Sequence, residues 1–304
     1  MRRRLGHRTM TVTAIVGVAL LVNGGTAQSW GAPPGTGSAP QAPVDTFALP
    51  AAPPAQPLAP FDGLEARVQQ AAADAARSGA DITAVVLDRN TGQTASTGAN
   101  QSFPIASVVK LFIADDLLLQ EAEGKTTLSA ADRTSLDAML RSSDDSAAQN
   151  FWDRSGGNAV IARIKTRYGL AGTTAPYNGR WDVTTSTAGD LVRYYDMLLN
   201  GSGGLPPQQA SIIMSNLAQS TPTGNDGYPQ RFGIPEGLYG EPVAVKQGWF
   251  CCWSGPNQLH VSTGVIGADR RYVMAISSLD PTSESAARQD ITQAVKTMFP
   301  GGTI

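Results

Sequence analysis

Cysteine occurs only twice in the 304 residues, as the adjacent pair Cys251-Cys252. Neighbours in sequence cannot staple a long loop, so a disulfide-scaffolded fold is excluded. The pair either closes on itself as an eight-membered ring or stays as two thiols. Histidine is as scarce, with His7 and His260 alone. No Cys/His cluster has metal-site spacing, so no metal and no other cofactor is expected. No basic stripe or charge run follows the N-terminus, which argues against a nucleic-acid partner. Lysine is rare too, at five residues. The N-terminal apolar run TMTVTAIVGVALLV, 9–22, is short of the roughly 20 residues a spanning helix needs.

What is present at the N-terminus is Arg2, Arg3, Arg4 and Arg8, then that apolar run, then small residues. This order is that of a secretory signal, with cleavage expected after Ala27. The other reading is an uncleaved membrane anchor. Either way the body is expected outside the cytoplasm, secreted or associated with the cell envelope. Removing 1–27 takes away four arginines and no acid, leaving 19 Lys+Arg against 25 Asp+Glu and a net charge of −6. Residues 28–60 hold nine prolines and eight alanines. Such a stretch is an extended, disordered tether rather than a domain.

A globular body is expected over 61–304. Apolar periodicity predicts a helix ending at Gly79 and two strands around the turn Asn90-Thr91-Gly92. A helix follows from Ser107 to about Ala122. A run of helices occupies the middle. Three successive strands come after Gly240, and a closing helix starts near Ser283. The order implies an α+β fold. One antiparallel sheet is flanked by the terminal helices, a helical lobe stands beside it, and a cleft lies between.

Three short motifs carry the chemistry. Ser107-Val108-Val109-Lys110 lies in the apolar run FPIASVVKLF. At helical spacing, i and i+3 share a face, so the serine hydroxyl and the lysine amine come within reach. A serine hydroxyl needs a base, and a lysine serves as one only if burial or nearby positive charge lowers its pKa. The plain alternative is a capping serine beside a snorkelling lysine. Ser143-Asp144-Asp145 sits between two predicted helices, where capping alone would favour these residues. Lys246-Gln247-Gly248 lies on a predicted strand. Its glycine lets another group approach the backbone, and the alternative is an edge strand carrying a lysine.

Taken in order, S-x-x-K, then S-D-D, then K-Q-G, the motifs resemble those of the class A β-lactamase and penicillin-binding-protein family over roughly 61–304. Within it the likeness is to the mycobacterial LppW type of β-lactamase-like lipoprotein. That type carries a lipid-modified cysteine after its signal. No cysteine precedes 251 here, so lipid anchoring is not expected. The resemblance implies Ser107 as acylated nucleophile, Lys110 as its base, Ser143 as proton relay to the leaving group and Lys246 as the charge that tunes Ser143. It implies an oxyanion hole from the Ser107 and Trp249 backbone amides, close to Gly248. The substrate would be a small-molecule or peptidoglycan-derived acyl compound, and the protein a monomer.

The departures from the family pattern carry expectations of their own. Asp145 stands where the family has Asn, so it is expected to hold Lys110 protonated. Gln247 replaces the hydroxyl that helps bind a substrate carboxylate. Asp182, in GRWDVTTSTAGDL, is either the base that activates the deacylating water or a capping acid. His260 falls where some relatives place a carboxylate-binding arginine. Trp249, Phe250 and Trp253 either line the cleft or pack on the sheet. The helical lobe is expected to be reduced, since Ser143 follows Ser107 by only 36 positions. Two functions therefore stand: a secreted serine acyl hydrolase with poor β-lactam turnover, or a non-catalytic relative that binds cell-wall material or a protein. A Ser-His-Asp hydrolase would need His260 as base and a G-x-S-x-G elbow, which is absent.

Overall fold

The computed structural model describes residue 61, residues 63–98 and residues 100–304, all within one unit, Pro57–Ile304. The predicted signal and tether lie outside the described residues. Helix α1, Leu64–Ser78, buries Leu64, Val68, Ala71 and Ala75 along one face and stops at Gly79, whose left-handed φ of 95° no β-carbon favours. Strands β1, Asp81–Asp88, and β2, Thr94–Ser96, form the expected hairpin. β3, Ser102–Pro104, leads into a 3-10 turn, Ala106–Val109, and then helix α2, Lys110–Ala122.

The helical lobe continues with α3 (Ala130–Arg141), α4 (Asp145–Arg154) and α5 (Ala159–Tyr168). Ser129 and Asp132 close a capping box at the start of α3, and Asp144 caps α4 by accepting from Ala147 N. After a short 3-10 turn, Trp181–Val183, β4 (Thr185–Thr187) pairs antiparallel with β3 as a separate two-stranded sheet. α6 (Ala188–Asn200), α7 (Pro207–Ala218) and the one-turn α8 (Ile234–Gly237) follow. β5 (Val243–Cys251), β6 (Gln258–Ile266), β7 (Tyr272–Asp280) and α9 (Glu284–Met298) complete the chain. The main sheet runs β2-β1-β7-β6-β5 and is antiparallel throughout.

The expected α+β architecture is what the molecule has. Two apolar cores hold it. One joins the helical lobe to one face of the sheet, through Leu259, Val261, Val265, Val273 and Ala275. The other lies between the opposite face and α1 and α9, through Met274, Ile276, Ile291 and Val295. β5 is the sheet edge next to the 3-10 turn, and this places the S-x-x-K and K-Q-G motifs side by side. Among the described residues no helix is long and apolar enough to cross a membrane.

Candidate active site

Ala106 has a left-handed φ of 45° at the head of the 3-10 turn. The turn and the first residues of α2 bring Ser107 Oγ to 2.8 Å from Lys110 Nζ. Ser143 sits in the joint between α3 and α4 with a φ of 58°, a strained value for a residue bearing a β-carbon. That conformation directs both its oxygens at the lysine: Lys110 Nζ is 2.7 Å from the Ser143 carbonyl and 3.1 Å from its hydroxyl. From β5, Lys246 Nζ donates to Ser143 Oγ at 2.8 Å and to the Gln247 carbonyl at 3.0 Å. The structure thus joins Ser107, Lys110, Ser143 and Lys246 into one hydrogen-bonded chain from three distant segments. All four side chains are buried.

Asp145 Oδ1 lies 2.5 Å from Lys110 Nζ. The sequence led us to expect that this carboxylate would keep the lysine firmly protonated. It does oppose the shift, with lesser help from Asp144 and Asp226, but burial is the larger influence and the Lys110 pKa is lowered. The reason is solvent. Lys110 is fully buried, whereas the Asp145 side chain is 70 % exposed, and water screens its charge. Lys246 is pushed well below its ordinary value, first by burial and then by the neighbouring Lys110. The geometry also suits a neutral Lys110 amine. A neutral amine would give its two N–H groups to the Ser143 carbonyl and Asp145 and accept the Ser107 hydroxyl on its lone pair, leaving the Ser143 hydroxyl as the longest of four contacts at 3.1 Å.

Ser107 opens onto a cavity of about 390 Å³ lined also by Asp145, Gln149, Trp181, Asp226 and Trp249, with Arg180, Asp182, Ala106 and Phe250 at its walls. A larger cavity of about 540 Å³, lined by Leu119, Gln120, Ala162 and Thr166 among others, holds none of the motif residues. Gly248 is needed where it stands: a β-carbon there would lie 2.6 Å from the Ile105 carbonyl and 3.2 Å from Ser107 N. Trp181, in the same GRWDV stretch as Asp182 but not expected as a site residue, places its ring 4.8 Å from Lys110 Nζ and donates to Gln149 Oε1. Asp182 lines the cavity, but Arg180 grips both its oxygens, at 2.5 and 3.2 Å.

Three predicted binding residues, Gly248, Gln247 and His260, are not among the residues that line the cavity. Gln247 is buried, and its amide donates to the Gln230 and Phe232 carbonyls. His260 is buried too, with Nε2 2.7 Å from Tyr228 Oη and the ring edge-on to Phe232. Burial, with Arg288 nearby, lowers its pKa to about 3, so it stays neutral and is no substitute for an arginine. Trp249 both lines the cavity and packs, its indole stacked on Tyr228 at 4.9 Å. Cys251 and Cys252 form a disulfide just beyond.

A model described as the beta-lactamase enzyme family matches residues 63–135 and 132–299. The chain belongs to the β-lactamase enzyme family. LppW of Mycobacterium tuberculosis and of Mycobacterium bovis, provisionally named a lipoprotein, is 60% identical over 255 residues, which is 84% of this chain and 81% of the relative. Solved β-lactamase-like folds agree. A class A β-lactamase from Mycobacterium abscessus aligns with a TM-score of 0.61 at 22% identity, covering 76% of this chain and 97% of that one. PBP-A, in a mutant solved as its acyl-enzyme complex with penicillin G, aligns with a TM-score of 0.64 at 20% identity, covering 82% of this chain and 98% of that one.

Proposed function

We propose that the chain is a penicillin-recognising-type serine acyl hydrolase working outside the cytoplasm through an acyl-enzyme on Ser107. The observation that carries this is the Ser107 Oγ to Lys110 Nζ contact of 2.8 Å, with the lysine buried and its pKa lowered. In acylation, Ser107 Oγ attacks the carbonyl carbon of an ester, D-alanyl amide or β-lactam, and its proton passes to the Lys110 lone pair. The backbone amides of Ser107 and Trp249 face the developing oxyanion. Ser143, bonded to both lysines, returns a proton to the leaving oxygen or nitrogen as the carbonyl–leaving-group bond breaks. Water then cleaves the acyl ester and restores the Ser107 hydroxyl.

Deacylation is the slow half of the cycle in this reading. Asp182, the carboxylate that the family resemblance points to as a water-activating base, is held by Arg180. Gln247, with its amide engaged elsewhere, offers a β-lactam carboxylate no anchor. An envelope location is supported by the lipoprotein name of the LppW relatives. Mass spectrometry after incubation with penicillin G and with p-nitrophenyl hexanoate tests the proposal. A stoichiometric adduct on Ser107, absent in Ser107→Ala, is the expected result. An unmodified Ser107 with both reagents would favour the non-catalytic reading.

A further inference from the structure

The cleft mouth carries more negative than positive charge. Asp145, Asp182 and Asp226 all line the cavity that holds Ser107, and Arg180 is its single lining cation among the described residues. Two of these carboxylates are occupied, Asp145 by Lys110 and Asp182 by Arg180. Asp226 is exposed and has no salt-bridge partner among the described residues. Its oxygens accept only from neutral donors, Tyr228 N at 2.9 Å and Trp249 Nε1 at 3.2 Å. Arg288 stacks on the Tyr228 ring and does not line the cavity.

The loop that presents Asp226 is fixed in place. Thr221 N donates to the Arg141 carbonyl, and Asn225 donates from its backbone to the Ser142 carbonyl and from its side chain to Asp144. Gly224 lies so close to Trp249 that a β-carbon would meet the indole at 3.0 Å. The Trp249 indole, covered on one face by Tyr228, is bonded to the same carboxylate, so a charged acceptor and an aromatic ring line one wall together. That pairing suits an organic cation, which gains from both the carboxylate and the ring face.

From this placement we infer that the cleft selects acyl substrates bearing a positive charge, such as an amine-bearing ester or amide, and that Asp226 is the residue that sets the preference. The inference rests on the proposed acylation of Ser107 and names the substrate class of that site. The field of Asp226 reaches the buried centre, where it acts to raise the pKa of both Lys110 and Lys246. An anionic substrate meets the opposite sign at the mouth, and the closest replacement for a family carboxylate anchor, His260, is neutral behind the sheet.

Three p-nitrophenyl esters of equal chain length test this on the full protein: the 6-aminohexanoate, the hexanoate and the half-ester of adipate. Each acylation transfers the acyl group to Ser107 Oγ and releases p-nitrophenolate, read as a burst at low salt. The expected order of acylation rates is cation, then neutral, then anion, with about threefold to tenfold between the ends. Asp226→Asn, which keeps the side chain's shape and one acceptor oxygen while giving up one of the two hydrogen bonds, should collapse that ratio, and Asp226→Lys should invert it. High salt should shrink it. Equal rates, or a faster adipate, with the neutral ester still acylating Ser107 would overturn the inference alone. No burst with any of the three would overturn the proposed acyl chemistry and the inference with it. Circular dichroism of the two variants separates lost folding from lost selectivity.

Discussion

At Lys110 two influences pull on one proton. Burial expels it and Asp145 retains it, with burial the stronger. The sign of the consequence can be worked out. A lowered pKa means that the neutral, proton-accepting amine is populated below the ordinary lysine range of about 10.4, so acylation should rise with pH along a limb set by Lys110. Asp145→Asn removes the largest retaining influence and leaves burial in place. The limb should then move to lower pH, and acylation at a pH below it should become faster. Burst rates of p-nitrophenolate release across pH, wild type against Asp145→Asn, check this. A shift to higher pH would mean that Asp145 helps to position the amine more than it holds the proton. Lys110→Met serves as the control and should lose the burst by about 10²–10⁴-fold.

At the scale of elements, the site depends on how closely edge strand β5 approaches the 3-10 turn before α2. Gly248 makes the approach possible, since a β-carbon there would overlap the Ile105 carbonyl. Gly248→Ala must push backbone against backbone, which neither side can relieve by a rotamer change. We expect a loss of about 1–3 kcal/mol in denaturant unfolding, and a burst slowed more than that loss of stability explains, because Ser107 and Lys246 separate. Much of this was readable beforehand. The helix and strand order followed from periodicity, and the three motifs met as their order implied. The pleat of β5 decides where two of the expected binding residues point. Side chains alternate along β5, so Gln247 and Trp249 lie on the face opposite Lys246, and His260 is the register partner of Trp249. That alternation places Gln247 and His260 behind the sheet. What could not be read is tertiary. β3 and β4 are three residues each and gain strand geometry by pairing with each other, with Thr185 of β4 also bridging Thr174. TPTGNDGYPQ, 221–230, looks like any turn, and nothing local in it says that Asp226 arrives on the cavity that Ser107 opens onto.

On the scale of the whole molecule, a cleft between a helical lobe and a sheet suggests two parts that could open or melt separately. The packing argues otherwise. The core of the helical lobe does not end at the cleft floor: Phe112, Leu191 and Tyr195 belong to the same apolar cluster as Val261, Val265 and Val273 on the sheet. Tyr195 Oη also bonds Thr263 Oγ1 on β6, and Arg89 after β1 pairs with Asp196 on α6. The hydrogen-bonded chain of the candidate site also crosses the boundary, since Lys110 and Ser143 come from the lobe and Lys246 from the sheet. Melting the lobe alone would expose the apolar residues on one face of the sheet to water and break the Ser143–Lys246 and Tyr195–Thr263 bonds, so that partly unfolded state is costly. Thermal or urea unfolding of the described body should therefore be a single transition. Far-ultraviolet dichroism, which follows the helices, and near-ultraviolet dichroism, which follows the aromatic packing, should share one midpoint. Separate midpoints would show two independent lobes, and Ser107 would then lose its Lys246-tuned neighbour well before the protein unfolds.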